Sequence, residues 1–218
     1  MRPRNAVLRR YLDHVFAAPS HVAILRALQD AAEGMSGRQV ARQAGINHQT
    51  CAVALGRLEE LGVILRRGAG QSQLFQLNRT HRIVQDLLLP LFRQEREVYP
   101  RVLQRVSELV SGRCMRALVF GSVARGEERR DSDLDLLLIA GGPGQSGAAR
   151  QAAADVRAAI GREWGLRANP IVLTERAVAE RRARQDPLIA SILLDGVEID
   201  LGKPRRRRNA THRATAAR

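Results

Sequence analysis

Ala117-Leu118-Val119-Phe120-Gly121-Ser122-Val123-Ala124-Arg125-Gly126, followed after a short charged stretch by Ser132-Asp133-Leu134-Asp135-Leu136-Leu137-Leu138-Ile139, decides how this chain is read. An apolar run ends in Gly-Ser, and ten residues later Asp-x-Asp opens a second apolar run. Carboxylates one residue apart on a strand point to the same side, because side chains alternate between faces. Such a pair can grip a divalent cation, and a Gly-Ser turn leaves bare backbone N–H groups where a phosphate could sit. A phosphate cradle at a fixed distance from metal-binding carboxylates is the minimum equipment for handling a nucleoside triphosphate.

Outward from this pair, the pattern reads as strand (116–120), short helix, strand (134–140), loop, helix (about 147–164), strand (169–173) and helix (about 175–183). That is a small α/β unit on a mixed sheet. Residues 116–200 closely resemble a minimal nucleotidyltransferase of the DNA polymerase β superfamily, with Gly-Ser, the ten-residue interval and Asp-x-Asp intact. The resemblance implies that Gly121 and Ser122 hold the β- and γ-phosphates of an NTP and that Arg125 adds a phosphate contact. It implies that Asp133 and Asp135 are the catalytic carboxylates and bind Mg²⁺, which neutralises the triphosphate and aligns it for in-line attack. Ser132 is expected to orient the carboxylate loop. Active members of the superfamily usually carry a third carboxylate on a later strand, where this chain has Asn169 in Ala168-Asn169-Pro170-Ile171-Val172-Leu173-Thr174. Glu175 reads as the first-turn acid of the next helix, and Asp200 is a distant substitute.

The first 79 residues follow another pattern. Val7, Leu8, Tyr11, Leu12, Val15 and Phe16 have helical spacing, and a second helix follows Pro19-Ser20 with Ser20 as an expected N-cap. Ser36 can cap a short helix carrying Val40 and Ala41, and Asn47 a longer one with Cys51, Leu55, Leu58 and Leu61 inward. Val63-Ile64-Leu65 and Leu74-Phe75-Gln76-Leu77 then read as strands around a Gly-rich turn. The stretch Arg57-Leu58-Glu59-Glu60-Leu61-Gly62-Val63-Ile64 resembles the recognition-helix exit of bacterial winged-helix transcription regulators. In that family the third helix enters the major groove of double-stranded DNA and the wing touches the backbone. Carried onto this chain, the implied DNA-facing residues are His48, Gln49, Ala52, Val53 and Arg57 on the helix, with Arg66, Arg67, Gln71 and Gln73 on the wing. A protein-docking or dimerisation module is the competing reading of the same surface.

The expected organisation is therefore α+β in two domains: a winged helix-turn-helix (1–79), a helical connector (80–111), a nucleotidyltransferase domain (112–202) and a disordered basic tail (203–218). Pro90 and Pro100 should each kink or restart the connector, whose apolar content suits packing on a domain or pairing in a homodimer. Charge follows the same division. Residues 1–79 carry a net +6, residues 80–202 a net +1 and the tail a net +7, so polyanion contact is expected at the two ends. Of the 36 basic residues 35 are arginine, a skew that weakens the meaning of any one of them. Two distant cysteines give neither a disulfide framework nor a zinc site, and the absence of a long apolar run points to a soluble, cytoplasmic protein with no membrane partner.

Two functions fit these observations. One is an enzyme moving a nucleoside monophosphate from Mg·NTP to an acceptor hydroxyl, with a protein as the acceptor. The other is a non-catalytic regulator, antitoxin-like in one version, whose degenerate transferase domain binds a nucleotide or a toxin partner.

Overall fold

The structure, a computed structural model, describes residues 9–68 and 73–202. The expectations for Val7 and Leu8, for Gln71 at the wing tip and for the basic tail lie outside the described residues. The chain divides into two compact units that meet at Val98 and Tyr99.

In the N-terminal unit, α1 (Tyr11–Val15), α2 (Pro19–Leu28), α3 (Gly37–Gln43) and α4 (His48–Glu60) precede a hairpin of β2 (Ile64–Arg67) and β3 (Leu74–Leu77). A two-residue strand, β1 (Met35–Ser36), pairs with β3 and makes a three-stranded antiparallel sheet in the order β1-β3-β2. Local chemistry sets the helix ends. Ser36 and Gln39 form a capping box at α3, in which the Ser36 N–H donates to Gln39 Oε1 at 2.8 Å. Asn47 Oδ1 accepts from Thr50 N at 2.8 Å and starts α4. Ser20 is not a cap. The cap falls two residues earlier, at Ala18, and α2 begins at Pro19, because proline is pre-set for the first helical turn and loses no hydrogen bond there.

Ile24, Leu25, Leu28, Val40, Leu55, Leu58 and Ile64 form the centre of this unit's core. Val84, Leu88 and Phe92 join the same core from a turn of π-helix (Val84–Leu88) and α5 (Leu89–Arg96). Two ion pairs stitch α5 to the helical layer: Arg26 Nη2 to Glu95 Oε1 at 2.6 Å and Arg96 Nη1 to Asp30 Oδ2 at 3.0 Å. The side chains in both pairs are about half exposed, so each contributes about 0.2–1 kcal/mol. Pro90 stands in the first turn of α5, where the helix restarts. The stretch 80–111 thus divides between two cores: α6 (Val98–Val110) places Val102, Val106 and Val110 in the core of the C-terminal unit.

That C-terminal unit is built on a mixed sheet in the order β6-β5-β4-β7, from β4 (Arg116–Phe120), β5 (Leu134–Ala140), β6 (Ala168–Thr174) and β7 (Val197–Glu198). β4 pairs antiparallel with β5 and with β7, whereas β5 and β6 are parallel. A parallel pair needs a long crossover, which α8 (Ser146–Trp164) supplies. α8 buries mainly alanines (Ala149, Ala152, Ala153 and Ala159), and small side chains let a helix lie close to a sheet in a chain so poor in aromatics. β5 is apolar on both faces. Leu134, Leu136 and Leu138 pack in one core with α6 and α8, and Leu137 and Ile139 meet Ile189 and Ile192 of α10 (Pro187–Asp195) on the other. Asp133 and Asp135 belong to the second face, just where its apolar stripe ends.

Leu136 is fully buried at the centre of β5. Leu136→Ala is expected to destabilise the C-terminal unit by about 2–5 kcal/mol, measured by urea unfolding followed at the single tryptophan, Trp164 in α8.

Candidate functional site

β4 ends at Phe120, and Gly121 turns the chain into the short α7 (Gly121–Arg125) with φ at +74°. This left-handed conformation favours glycine, and so does the space around it: a Cβ at position 121 would lie 2.7 Å from Asp135 Oδ2. The Gly-Ser turn and the second carboxylate of Asp-x-Asp are therefore in direct contact, as register requires, because Phe120 is the antiparallel partner of Asp135. The structure brings Gly121, Asp133 and Asp135 together at one end of the sheet, with Ser122 next along α7. Ser132 Oγ accepts from Arg129 N at 2.8 Å and closes the loop that delivers Asp133.

The parallel β5–β6 register sets Asn169 beside Asp135, and Asn169 Nδ2 donates to Asp135 Oδ1 at 3.2 Å. The position a third carboxylate would take is thus filled by an amide that satisfies its neighbour. Glu175 opens α9 (Glu175–Ala183), past the end of β6 and behind the N-cap Thr174. Asp200 Oδ1 accepts from Gly202 N at 2.8 Å. Among the described residues no group of three or more His, Cys, Asp or Glu side chains could hold a metal ion. Two observations still fit a divalent ion at the pair: Asp133 Oδ1 is buried without a hydrogen-bond partner, and Asp135 Oδ2 faces the space a Cβ would fill at Gly121.

Arg125 is drawn away from the role expected of it. Its Nε donates to Glu127 Oε2 at 2.8 Å and its Nη1 lies 3.9 Å from Asp195 Oδ2 on α10. The Glu127 hydrogen bond raises the pKa of an already strong base, so the guanidinium stays charged and would have to leave Glu127 to meet a phosphate. Arg167, which carries no sequence signal of its own, stands next to Asp133. Its Nε is 2.8 Å from Asp133 Oδ1, an ion-pair contact rather than a directed hydrogen bond. Alternation from Asn169 would put residue 167 on the same face, but only the β5–β6 register says what it meets there. A pocket of about 690 Å³, lined by Cys114, Met115, Gly141 and Gly142, opens at the other end of the sheet from Asp-x-Asp.

On the N-terminal unit, α4 buries Cys51, Ala54, Leu55 and Leu58 and leaves His48, Gln49, Ala52, Val53 and Arg57 exposed on the opposite face. Burial raises the Cys51 thiol pKa, in keeping with a core residue. The wing arginines are both engaged. Arg66 pairs with Glu59 and lies over the Phe75 ring at 5.4 Å from its centroid. Arg67 donates from Nε and Nη2 to the Gln76 amide oxygen at 3.1 Å in that amide's favoured orientation. Arg38, at the start of α3, lines a pocket of about 580 Å³ with His48, Arg66 and Gln73. It adds a cation beside the recognition helix that helical periodicity alone did not mark.

Helices α2, α3 and α4 closed by an antiparallel hairpin, followed by a mixed sheet whose Gly-Ser turn touches an Asp-x-Asp pair, define a winged helix joined to a nucleotide-handling fold. Residues 19–64 match the family model described as winged helix-turn-helix DNA-binding, and residues 100–205 match the nucleotidyltransferase domain. The chain is a winged helix-turn-helix DNA-binding domain fused to a nucleotidyltransferase domain. No curated protein and no solved structure matches it. Nucleotidyltransferase domains usually use divalent metal ions, and no helix among the described residues is long and apolar enough to cross a membrane.

Gly121→Ala forces a side chain into a left-handed backbone and against Asp135. It is expected to cost about 1–2 kcal/mol, read in urea unfolding at Trp164.

Proposed function

We propose that the C-terminal unit transfers a nucleoside monophosphate from Mg·NTP to an acceptor hydroxyl, on a protein, and that the winged helix binds double-stranded DNA. The contact between Gly121 and Asp135, with Asp133 on the same sheet face, is the observation that carries the first half. Mg²⁺, held by Asp133 and Asp135, would supply charge neutralisation for the triphosphate. The backbone at Gly121 and the Ser122 hydroxyl hold its outer phosphates, leaving the α-phosphate toward the carboxylates. The acceptor oxygen bonds to the α-phosphorus as the α–β phosphoanhydride breaks, pyrophosphate leaves, and the hydroxyl proton passes to water. Positioning and charge stabilisation carry such a step. Asn169 has no basic oxygen to take that proton and binds metal more weakly than a carboxylate.

The Asn169–Asp135 hydrogen bond favours a second reading, in which the same site binds Mg·NTP without turnover and the chain acts as a DNA-bound regulator or antitoxin-like partner. Calorimetric titration of Mg·NTPs is expected to show binding to the wild type that is lost in Asp133→Asn and Asp135→Asn. Unchanged binding in both variants would overturn the site. Asn169→Asp separates the two readings: raised pyrophosphate release supports an enzyme limited by its missing carboxylate, and binding without release in either protein supports the regulator.

On the DNA face, Arg57 is exposed on α4 and forms no ion pair among the described residues, unlike Arg66. Arg57→Ala is expected to weaken duplex binding and lower the slope of log K against log salt by about 1. The check is fluorescence anisotropy across a salt series, and an unaltered slope would remove Arg57 from the interface.

A further inference from the structure

β6 sets donors, not acceptors, against the Asp-x-Asp pair. Asn169 faces Asp135, and one step earlier Arg167 faces Asp133, because its carbonyl accepts from Leu134 N at 2.8 Å and continues the parallel ladder. The four side chains therefore share one sheet face and sum to a charge of −1, where a carboxylate at 169 would make it −2. Arg167 is placed like a counter-ion. Its Nε lies 2.8 Å from Asp133 Oδ1, the buried oxygen that has no hydrogen-bond partner, and its Nη2 donates to the Asp131 carbonyl at 3.2 Å. Its side chain is 75% exposed, so the hold is weak and the guanidinium can leave without unpacking anything.

We infer that Arg167 is an exchangeable counter-ion: it neutralises Asp133 until a divalent cation arrives, and then moves onto the phosphate chain of the nucleotide. This rests on the reading of Asp133 and Asp135 as the metal pair. A divalent ion entering alone must displace a cation from Asp133 Oδ1 and leave that cation without an anionic partner. A nucleotide changes the balance, because phosphate oxygens accept the planar guanidinium fork in a bidentate way. Metal and nucleotide then strengthen each other's binding through Arg167, and the coupling is reciprocal. The arginine is a positioning residue for the triphosphate and also sets the order in which the site fills. An arginine suits this exchange because it holds its charge in both positions.

One substitution should move two affinities in opposite directions. With Mn²⁺ alone as the probe, followed by electron paramagnetic resonance of the free ion, Arg167→Gln is expected to bind roughly fivefold more tightly than wild type. With saturating Mg²⁺, the NTP that binds wild type is expected to bind Arg167→Gln about tenfold more weakly. Arg167→Lys, which keeps the charge but loses the fork, should leave Mn²⁺ affinity near wild type and still weaken the NTP. In an Asp133→Asn background, Arg167→Gln should produce no gain for Mn²⁺, since the partner is gone. Equal Mn²⁺ affinity in wild type and Arg167→Gln would overturn the inference, as would a gain that persists without Asp133. Either result leaves the nucleotide site standing if wild type binds Mg·NTP through Asp133. Loss of that binding is a failure of the site itself and is seen in the wild type, before any change at 167.

Discussion

The parallel pairing of β5 with β6 is the constraint on which the rest of the C-terminal unit depends. It obliges the chain to cross over through α8, and α8 in turn covers one face of the sheet with alanines. It also fixes which residue faces each carboxylate: Asn169 beside Asp135 and Arg167 beside Asp133. A slip of one residue would turn the whole of β6 over. The slip would bury Arg167 and Asn169 in the alanine-lined core and bring Pro170 and Val172 out toward the carboxylates. Apolar burial therefore enforces the register, and the register composes the site.

Much of this was legible in the sequence, for physical reasons that differ between elements. β4 and the span of β5 stand out because a buried strand is a short apolar run, and α4 because Asn47, the inward spacing from Cys51 and the stop at Gly62 agree. Gly-Ser and Asp-x-Asp were readable as partners because a turn and a two-residue period leave them little freedom. Less visible were β1 and β7, each two residues long, since so short a strand exists only through the partner it pairs with. α10 was hidden for another reason: Leu188, Leu193 and Leu194 are exposed, so its apolar residues do not fall on one face. Ser20 had the chemistry of a cap, yet Pro19 one residue earlier took the first helical position. The partners of Arg125 and Arg167 depend on long-range register, which local pattern does not carry.

Arginine composition joins the two units in one electrostatic theme. With 35 arginines and 22 acids, several guanidiniums near the proposed working surfaces are already paired with a carboxylate. Arg66 has Glu59, Arg125 has Glu127 and Asp195, and Arg167 has Asp133. Each of these pairs is partly solvated, so each is cheap to break and none is a strong lock. A polyanion can displace the carboxylate in every case, because phosphate oxygens offer the same fork geometry with more charge.

Exchange of this kind changes what an arginine contributes. An unpaired cation adds its whole attraction to binding, whereas a paired one adds only the difference between phosphate and carboxylate. It also releases an acid that must then be solvated or used. At Glu59 the freed acid would stand beside the proposed DNA face and oppose binding. At Asp133 the freed acid would be the group that the proposed divalent cation needs. On the proposed roles, the same ion-pair chemistry would weaken the wing and, beside Gly121, would couple the arrival of a nucleotide to the arrival of its metal. Whether a paired arginine hinders or helps is decided by what its carboxylate does once it is released.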